Sequence, residues 1–492
     1  MKRARPYALL LLSGGALSLA FPEPDIAPLA WVAIVPLILL SWGAGVRRGA
    51  LMGFTFGLSF FGGVIWFFSI VGVAAWAFAI VIEAAFIALF GAAWGWLSRR
   101  IEGWAAVPVV AALWVAAEFF RTYFPFGGFT WGELAQSQHD LRWMLRPAAY
   151  GGAWLVAFLV VGCNAALALA LRSGWARRSL ASLAPVGLAV VLIAAPALLP
   201  APSLGGKAIR IGIVQGDVPF DIPRGVARDL AIIDSHRQLT ESLADDEVDL
   251  VLWPESSVAV DLEDFPEAPA ALFYSAQAAG APMIVGANHN VGDENFRVVA
   301  HHVGRRGEVV DTYVKTHLVP FGEYIPFRSL LDWIPQLEQI PRDALAGDEV
   351  GIFDVAGGRV APVISFEADF GPLVRRRIAD GARLLTVSTN TSTWEHSWAS
   401  AQHLAFSQVR AAENGVWVAH AAISGISGVI APDGRVVERT GLFEATTIVA
   451  DARFAEGATF YARTGEWFAL LCALASAGAI AFEVIRRRRV GE

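Results

Sequence analysis

Long apolar stretches fill most of the first 200 residues and constrain the fold more than any other feature. The hydrocarbon core of a bilayer is roughly 30 Å thick, so a helix that crosses it needs about 20 mostly apolar residues. About seven such stretches precede residue 200 and one follows the polar part of the chain. Their approximate ranges are 6–22, 26–42, 50–71, 73–97, 104–121, 149–171, 180–199 and 464–485. Because 55% of the residues are hydrophobic and 17% charged, we expect a polytopic α-helical membrane domain of about eight spans.

Lysine and arginine residues cluster between alternate apolar stretches. These residues are Lys2, Arg3, Arg5, Arg47, Arg48, Arg99, Arg100, Arg172, Arg177 and Arg178, with Arg486 to Arg489 after the last stretch. Positively charged loops remain on the cytoplasmic side, so the polar block before the last span is expected outside the cytoplasm. Alternatively, the first stretch is a cleaved signal peptide, which would leave the later topology unchanged.

Charge and cysteine content argue against several classes of protein. The net charge is -7 and no long basic block is present, so we expect no nucleic-acid partner. Cys163 and Cys472 both lie in apolar stretches, which favours buried core residues over a disulfide framework. No His-Glu-x-x-His spacing occurs, and we expect no metal.

Two acidic residues fall inside the apolar stretches. Glu83 lies in the fourth stretch and Glu118 near the end of the fifth. An unpaired carboxylate in hydrocarbon is costly, so both are expected to face other helices or water. We favour a helix-packing hydrogen bond or a protonated acid over a catalytic role.

A separate α/β domain is expected between about residues 203 and 456, between a membrane domain over 1–200 and a last helix over 464–485. After the short linker Leu199-Pro200-Ala201-Pro202-Ser203-Leu204-Gly205-Gly206, long apolar blocks give way to short strand-like runs that alternate with helical segments. The expected strands are Ile209–Gln215, Asp249–Trp253, Met283–Ala287, Val298–Val303, Val309–Lys315, Val360–Phe366, Leu384–Ser388 and Val416–Ala422. The expected helices are 225–244, 268–279 and 400–414. Such alternation indicates a layered fold.

Polar side chains at strand ends are the candidates for chemistry in this domain. Glu255 follows Val251-Leu252-Trp253-Pro254, Lys315 ends one strand, and Ser365 and Glu367 end another. In an extended segment the last two would point to the same side. Taken singly, each residue is better explained by a structural role: Glu255 as a cap, Lys315 as a surface charge and Ser365 as a turn residue.

The order of these residues, together with the motifs around them, is more specific. The motifs are Leu252-Trp253-Pro254-Glu255-Ser256, the run from Tyr313-Val314-Lys315 through Leu318-Val319-Pro320-Phe321-Gly322-Glu323-Tyr324, Val363-Ile364-Ser365-Phe366-Glu367, and Gln402-His403-Leu404-Ala405. A glutamate, a lysine and then a nucleophile in chain order resemble the nitrilase superfamily. The Lys315 to Tyr324 run is particularly similar to apolipoprotein N-acyltransferases, and the resemblance extends over nearly the whole chain.

The resemblance implies both an architecture and an activity. The fold would be eight membrane helices of the bacterial inner membrane and an extracytoplasmic αββα nitrilase-like sandwich. The activity would move an acyl chain from a phospholipid to the N-terminal amine of a diacylglyceryl-cysteine lipoprotein. Glu255 would be the general base, Lys315 the oxyanion partner, and Glu323 and Glu367 supporting carboxylates. No cofactor is implied, and we expect a monomer.

The chain departs from the family at the nucleophile, where Ser365 stands in place of cysteine. A thiol titrates at about 8.5, whereas a serine hydroxyl loses its proton only during attack. Four hypotheses follow: an acyltransferase that forms an oxygen ester, a catalytically impaired homologue that binds lipid or lipoprotein, a serine introduced deliberately to trap substrate, and a small-molecule amidase. The last has no need of about eight spans.

Overall fold

A computed structural model describes residues 5–173, 180–331, 333, 334, 337, 338 and 340–490. The chain forms two compact units, one from Met1–Ala201 with Thr464–Glu492 and the other from Pro202–Arg463. Four basic residues used above to assign the topology lie outside the described residues: Lys2, Arg3, Arg177 and Arg178.

The first unit is helical throughout. Its helices are α1 Arg5–Ser18, α2 Val35–Ser41, α3 Val46–Val64, α4 Phe68–Val71, α5 Val73–Leu97, α6 Ala106–Arg121, α7 Arg142–Leu145, α8 Ala148–Gly151, α9 Ala153–Arg172, α10 Leu180–Ala194 and α17 Trp467–Val490. Short 3-10 turns lie at Ala27–Trp31, Gly103–Ala105, Leu134–Gln138 and Ala195–Leu198.

Four helical segments in the described residues are long and apolar enough to cross a membrane: Val73–Leu97, Gly103–Arg121, Ala153–Arg172 and Trp467–Arg489. The expected continuous helix over 26–42 is instead interrupted between Trp31 and Val35. A proline begins each half of this region, where its missing N–H and fixed φ suit the first turn of a new helix. The count of about eight spans therefore remains a prediction.

Close helix packing in the first unit depends on small residues. A Cβ atom on Gly49 of α3 would lie 2.1 Å from the carbonyl oxygen of Gly91 in α5, and Gly53 approaches Ile87 equally closely. In a membrane the surrounding lipid is as apolar as the helices, so no hydrophobic effect drives them together. Small residues let the helix backbones approach closely enough for van der Waals contacts to hold them.

The two acidic residues of this unit have polar partners. Glu83 accepts a hydrogen bond from Arg121 at 3.1 Å. Glu118 accepts from the indole N–H of Trp114 at 2.9 Å and from the backbone N–H of Leu134 at 3.1 Å. These contacts agree with the helix-packing interpretation, since each carboxylate is satisfied inside the bundle.

The second unit contains two β-sheets. Its strands are β1 Lys207–Gln215, β2 Leu250–Val258, β3 Met283–Val291, β4 Asn295–Val303, β5 Val309–Val314, β6 Asp343–Ala344, β7 Phe353–Val355, β8 Gly358–Ile364, β9 Leu384–Thr389, β10 Trp417–Ala422, β11 Gly428–Ile430, β12 Val436–Arg439 and β13 Thr446–Phe454. One sheet has the order β13-β1-β2-β3-β4-β5, with β6 beside β4, and the other has the order β12-β11-β10-β9-β8-β7. The β1–β2–β3 and β8–β9–β10 pairings are parallel.

The two sheets face each other across one apolar core. Ile211 and Leu252 of the first sheet and Val360 and Ala419 of the second belong to the same buried cluster. The helices of this unit are α11 Val226–Glu241, α12 Glu267–Ala279, α13 Arg328–Leu331, α14 Gly371–Ala379, α15 Ala399–Asn414 and α16 Phe460–Thr464. Separate clusters pack α11 and α12 on one sheet, and α14 and α15 on the other. The four layers are the expected αββα sandwich.

The structure corrects the expected strand ends near the candidate residues. β2 continues through Glu255 to Val258, so this glutamate lies within the strand. β8 ends at Ile364, and Ser365–Asp369 form a 3-10 turn, so the prediction of an extended segment with Ser365 and Glu367 on one side is wrong. The turn forms because the Glu367 carboxylate accepts the Ile364 N–H at 2.9 Å, three residues back.

Candidate active site

Glu255 occupies an irregular part of β2 that brings its backbone against β3. The register of the β2–β3 pair shifts between Trp253 and Val258, and Ser256 has a φ of 61°. Bulges of this kind redirect a side chain out of the regular pleat. The buried carboxylate accepts the backbone N–H of Asn390 at 2.9 Å on Oε2 and the Lys315 ammonium at 3.2 Å on Oε1.

Lys315 is fully buried directly after β5. Its backbone N–H donates to Val298 at 2.9 Å, which fixes the start of the loop against β4. The ammonium group binds Glu255 and also Glu323, whose Oε1 lies 2.5 Å away. Glu323 accepts the Val319 N–H at 2.8 Å on its other oxygen, so the loop that follows Lys315 folds back onto its own lysine.

Burial and the neighbouring charges act on each pKa of the site in opposite directions, and the net result is a raised pKa for both Glu255 and Lys315. Burial raises the pKa of Glu255 above its usual value of 4.5; Lys315 opposes this shift and the nearby Glu323 adds to it. Burial alone would lower the pKa of Lys315, but the attraction of Glu255 and Glu323 outweighs it and raises that pKa. Lys315 is therefore a fixed cation, and Glu255 is a stronger base than an exposed glutamate.

Ser365 stands at the start of the 3-10 turn with its backbone in the left-handed region, at a φ of 49°. A non-glycine residue in this region is strained, and such positions cluster at functional sites. The side chain is partly exposed, and its hydroxyl is close enough to the Glu255 carboxylate to lower the pKa of that group. Its Oγ also lies 3.2 Å from the Thr389 hydroxyl at the end of β9.

Glu367 holds the 3-10 turn Ser365–Asp369 against the loop that follows β5, and it does not contact Lys315 directly. Oε1 accepts from the Thr316 N–H at 2.9 Å, the His317 N–H at 3.2 Å and the Tyr313 hydroxyl at 2.5 Å, while Oε2 accepts from Ile364. Burial acts to raise the pKa of Glu367, but Arg377 and the hydrogen bonds outweigh it and lower that pKa. The carboxylate is thus ionised and structural.

The structure brings Glu255, Lys315, Glu323 and Ser365 into one contiguous cluster. Glu367 lies outside it and binds Thr316 and Ile364, the chain neighbours of Lys315 and Ser365.

Sequence reasoning missed Thr389, Asn390 and Arg377. The first two follow the apolar run of β9, so the strand-end rule applied to the other candidates would have found them. No local pattern marks Arg377, which donates to Tyr313 from α14. Among the described residues, no group of three or more histidine, cysteine or acidic side chains is placed to hold a metal.

The arrangement contains the parts needed for acyl transfer. The Ser365 hydroxyl lies beside the buried Glu255 carboxylate, and the buried Lys315 ammonium group lies 3.2 Å from that carboxylate. A nucleophile, a base to take its proton and a fixed cation for a developing oxyanion are the requirements of covalent acyl chemistry.

Known protein families and individual relatives match both units. The model for the apolipoprotein N-acyltransferase N-terminal domain matches residues 13–166, and the carbon-nitrogen hydrolase model matches residues 210–460. The apolipoprotein N-acyltransferase of Geobacter metallireducens is 30% identical over 99% of this chain and 96% of its own length. That of Methylococcus capsulatus is 32% identical, with coverages of 98% and 96%.

A solved structure, a variant of a Nesterenkonia amidase from the nitrilase superfamily, aligns with a TM-score of 0.41 and 20% identity over 54% of this chain and 96% of its own. The full-length relatives and the carbon-nitrogen hydrolase match decide the assignment: the chain belongs to the apolipoprotein N-acyltransferase family and is an acyltransferase with a nitrilase-like domain.

Proposed function

We propose that this protein transfers an acyl chain from a phospholipid to the N-terminal amine of a diacylglyceryl-cysteine lipoprotein through an oxygen ester on Ser365. The observation that carries the proposal is the buried Glu255–Lys315 pair, 3.2 Å apart, beside Ser365, whose hydroxyl acts to lower the pKa of Glu255. The names of the relatives support the overall reaction.

In the first half-reaction, Ser365 Oγ attacks the ester carbonyl carbon of the phospholipid while its proton passes to Glu255. The charge that develops on the carbonyl oxygen is stabilised by Lys315, which the attraction of Glu255 and Glu323 keeps protonated despite its burial. Collapse breaks the bond to the glycerol oxygen, which takes the proton from Glu255, and a lysophospholipid leaves. The acyl group then remains on Ser365 as an ester.

In the second half-reaction, the amine of the lipoprotein attacks the ester carbonyl and gives a proton to Glu255. The bond to Ser365 Oγ breaks and this oxygen recovers the proton, which regenerates the hydroxyl and releases an amide. One base therefore serves both halves.

The test is to incubate the purified chain with phospholipid and a diacylated lipopeptide and to measure the N-acylated product by mass spectrometry. The unmodified chain is expected to form the product, whereas S365A and E255Q form none. If the unmodified chain forms no N-acylated lipopeptide, the proposed activity is wrong.

The alternative is an impaired homologue that binds lipid or lipoprotein without turnover. The observation in its favour is the hydroxyl at the nucleophile position, since a carboxylate is a weaker base for serine than the histidine of a serine triad. Binding of the lipopeptide with no product, and with product only from the S365C variant, is the result that this alternative predicts.

We further propose that the protein is a monomer that spans the bacterial inner membrane about eight times, with a membrane domain over 1–200, a nitrilase-like domain over 203–456 on the extracytoplasmic side and a last helix over 464–485. The alternation of basic residues between apolar stretches supports this topology. An impermeant maleimide is expected to label S242C in spheroplasts and R488C only after permeabilisation. The reverse labelling would overturn the orientation.

A further inference from the structure

The Thr389 side chain contacts the proposed reacting atom and has no role in the mechanism above. Thr389 is the last residue of β9 and is fully buried. Its Oγ1 lies 3.2 Å from Ser365 Oγ. The next residue, Asn390, donates its backbone N–H to Glu255, so the end of β9 contacts both members of the nucleophile–base pair.

The proposed reaction sets the direction of the Thr389 contact, in which either hydroxyl can be the donor. Both oxygens of Glu255 accept hydrogen bonds from elsewhere, Oε1 from Lys315 and Oε2 from Asn390, as expected for an ionised carboxylate. The single hydroxyl proton of Ser365 passes to this carboxylate in the proposed attack. Thr389 is then the donor in its contact with Ser365, and the order of donation is Thr389 to Ser365 to Glu255.

We propose that Thr389 is a further catalytic residue, whose hydroxyl donates a hydrogen bond to Ser365 Oγ and stabilises the negative charge that forms on this oxygen as its proton moves to Glu255. The inference rests on the proposed function of Ser365 as nucleophile. A hydroxyl donor suits an oxygen nucleophile in particular, because a charged oxygen is a strong acceptor and sulfur a weak one. Thr389 would thus offset part of the cost of replacing a thiol by a hydroxyl.

The Thr389 contact also helps to hold the Ser365 side chain in place. A residue with a φ of 49° is strained and keeps this conformation only when its surroundings fix it, and the contact with Thr389 is one such restraint. The T389V variant keeps the shape of the side chain and removes only the donor. The T389S variant keeps the donor and removes a methyl group.

The test uses the rate at which an alkyl fluorophosphonate labels Ser365 in the detergent-solubilised full chain. In this reaction the Oγ–P bond forms, the P–F bond breaks, fluoride leaves and the serine proton passes to Glu255. T389V is expected to slow labelling about 10-fold to 100-fold, the effect of losing a hydrogen bond to a charged atom. T389S should stay within about threefold of the unmodified chain.

Two controls separate a catalytic donor from a packing residue. T386V removes another buried hydroxyl of β9, whose partner is the Ala361 carbonyl, and should leave labelling unchanged. In the S365C background, T389V should change the rate of iodoacetamide alkylation at position 365 by less than about threefold, because sulfur accepts hydrogen bonds weakly.

Equal labelling of T389V and the unmodified chain would overturn the proposal, and so would an equal loss in the serine and cysteine backgrounds or no labelling of Ser365 at all. The lipopeptide assay is a separate readout. If N-acylation fails while labelling still depends on the Thr389 hydroxyl, the proposed function is wrong and the donor role stands.

Discussion

At the scale of single residues, the oxygen of Ser365 limits the proposed reaction. A thiol near a buried carboxylate and a lysine ionises before attack, whereas the hydroxyl must pass its proton to Glu255 during attack. We therefore predict that S365C accelerates N-acylation of the lipopeptide by about 10²-fold or more. The measurement is the initial rate of product formation, with S365A as the inactive control. A cysteine variant no faster than the unmodified chain would show that the scaffold is adapted to oxygen.

The raised pKa of Glu255 predicts the pH dependence of the reaction. Only the ionised carboxylate accepts the proton of Ser365, so activity is present above this pKa and is lost as the pH falls through it. Because burial and Glu323 raise the pKa, the acid limb of kcat/KM should lie above the usual glutamate value of 4.5. The profile is measured with limiting phospholipid and saturating lipopeptide, so that kcat/KM reports the attack by Ser365. A limb at or below 4.5 would mean that another group is the base.

At the scale of elements, the close approach of β3 to β2 positions Glu255, the proposed base. A Cβ atom on Gly286 would lie 2.3 Å from the Pro254 carbonyl oxygen and 2.6 Å from Glu255 Cα. We predict that G286A displaces this part of β2, lowers activity more than about tenfold and costs about 1–3 kcal/mol of stability. G457A is the matched control, since nothing lies within 4 Å of its added atom. Equal activities of the two variants would exclude this role of Gly286.

The elements differ in how far the sequence could predict them. Short continuous apolar runs located the central strands, since both faces of β2 and β9 are buried. The short strands β6 and β7 have two and three residues, too few for a period to be recognised.

The turn that carries Ser365 could not be predicted from local pattern alone, because Glu367 binds not only the nearby Ile364 but also Thr316 and His317, about 50 residues away in sequence. The candidate residues themselves were identified through their order and motifs. Their distances, and the contact of Thr389 with Ser365, depend on the pairing of β8 with β9.

At the scale of the whole molecule, buried histidines make the nitrilase-like domain sensitive to acid. Burial lowers the pKa of His236 to about 4, of His403 to about 3 and of His420 well below its usual value of 6.5. The unfolded chain therefore binds more protons than the folded chain below pH 6.5, so stability is full above this pH and is lost as the pH falls. Each histidine costs about 1.4 kcal/mol per pH unit in this range.

Pulse proteolysis of this domain over a series of urea concentrations, at pH 7 and at pH 5, measures the loss in free energy of unfolding. H236Q should reduce the pH dependence of the free energy of unfolding. A domain equally stable at both pH values would mean that these histidines are protonated in the folded state.

The central claim is that Ser365 carries the acyl group as an oxygen ester. The direct measurement is the mass of the proteolytic peptide that contains Ser365 after the full chain has been incubated with phospholipid alone and quenched in acid. The account predicts that this peptide gains the mass of one acyl chain, that the adduct survives neutral hydroxylamine, which cleaves a thioester, and that E255Q gains none. An unmodified Ser365 peptide in a preparation that still N-acylates the lipopeptide would contradict it.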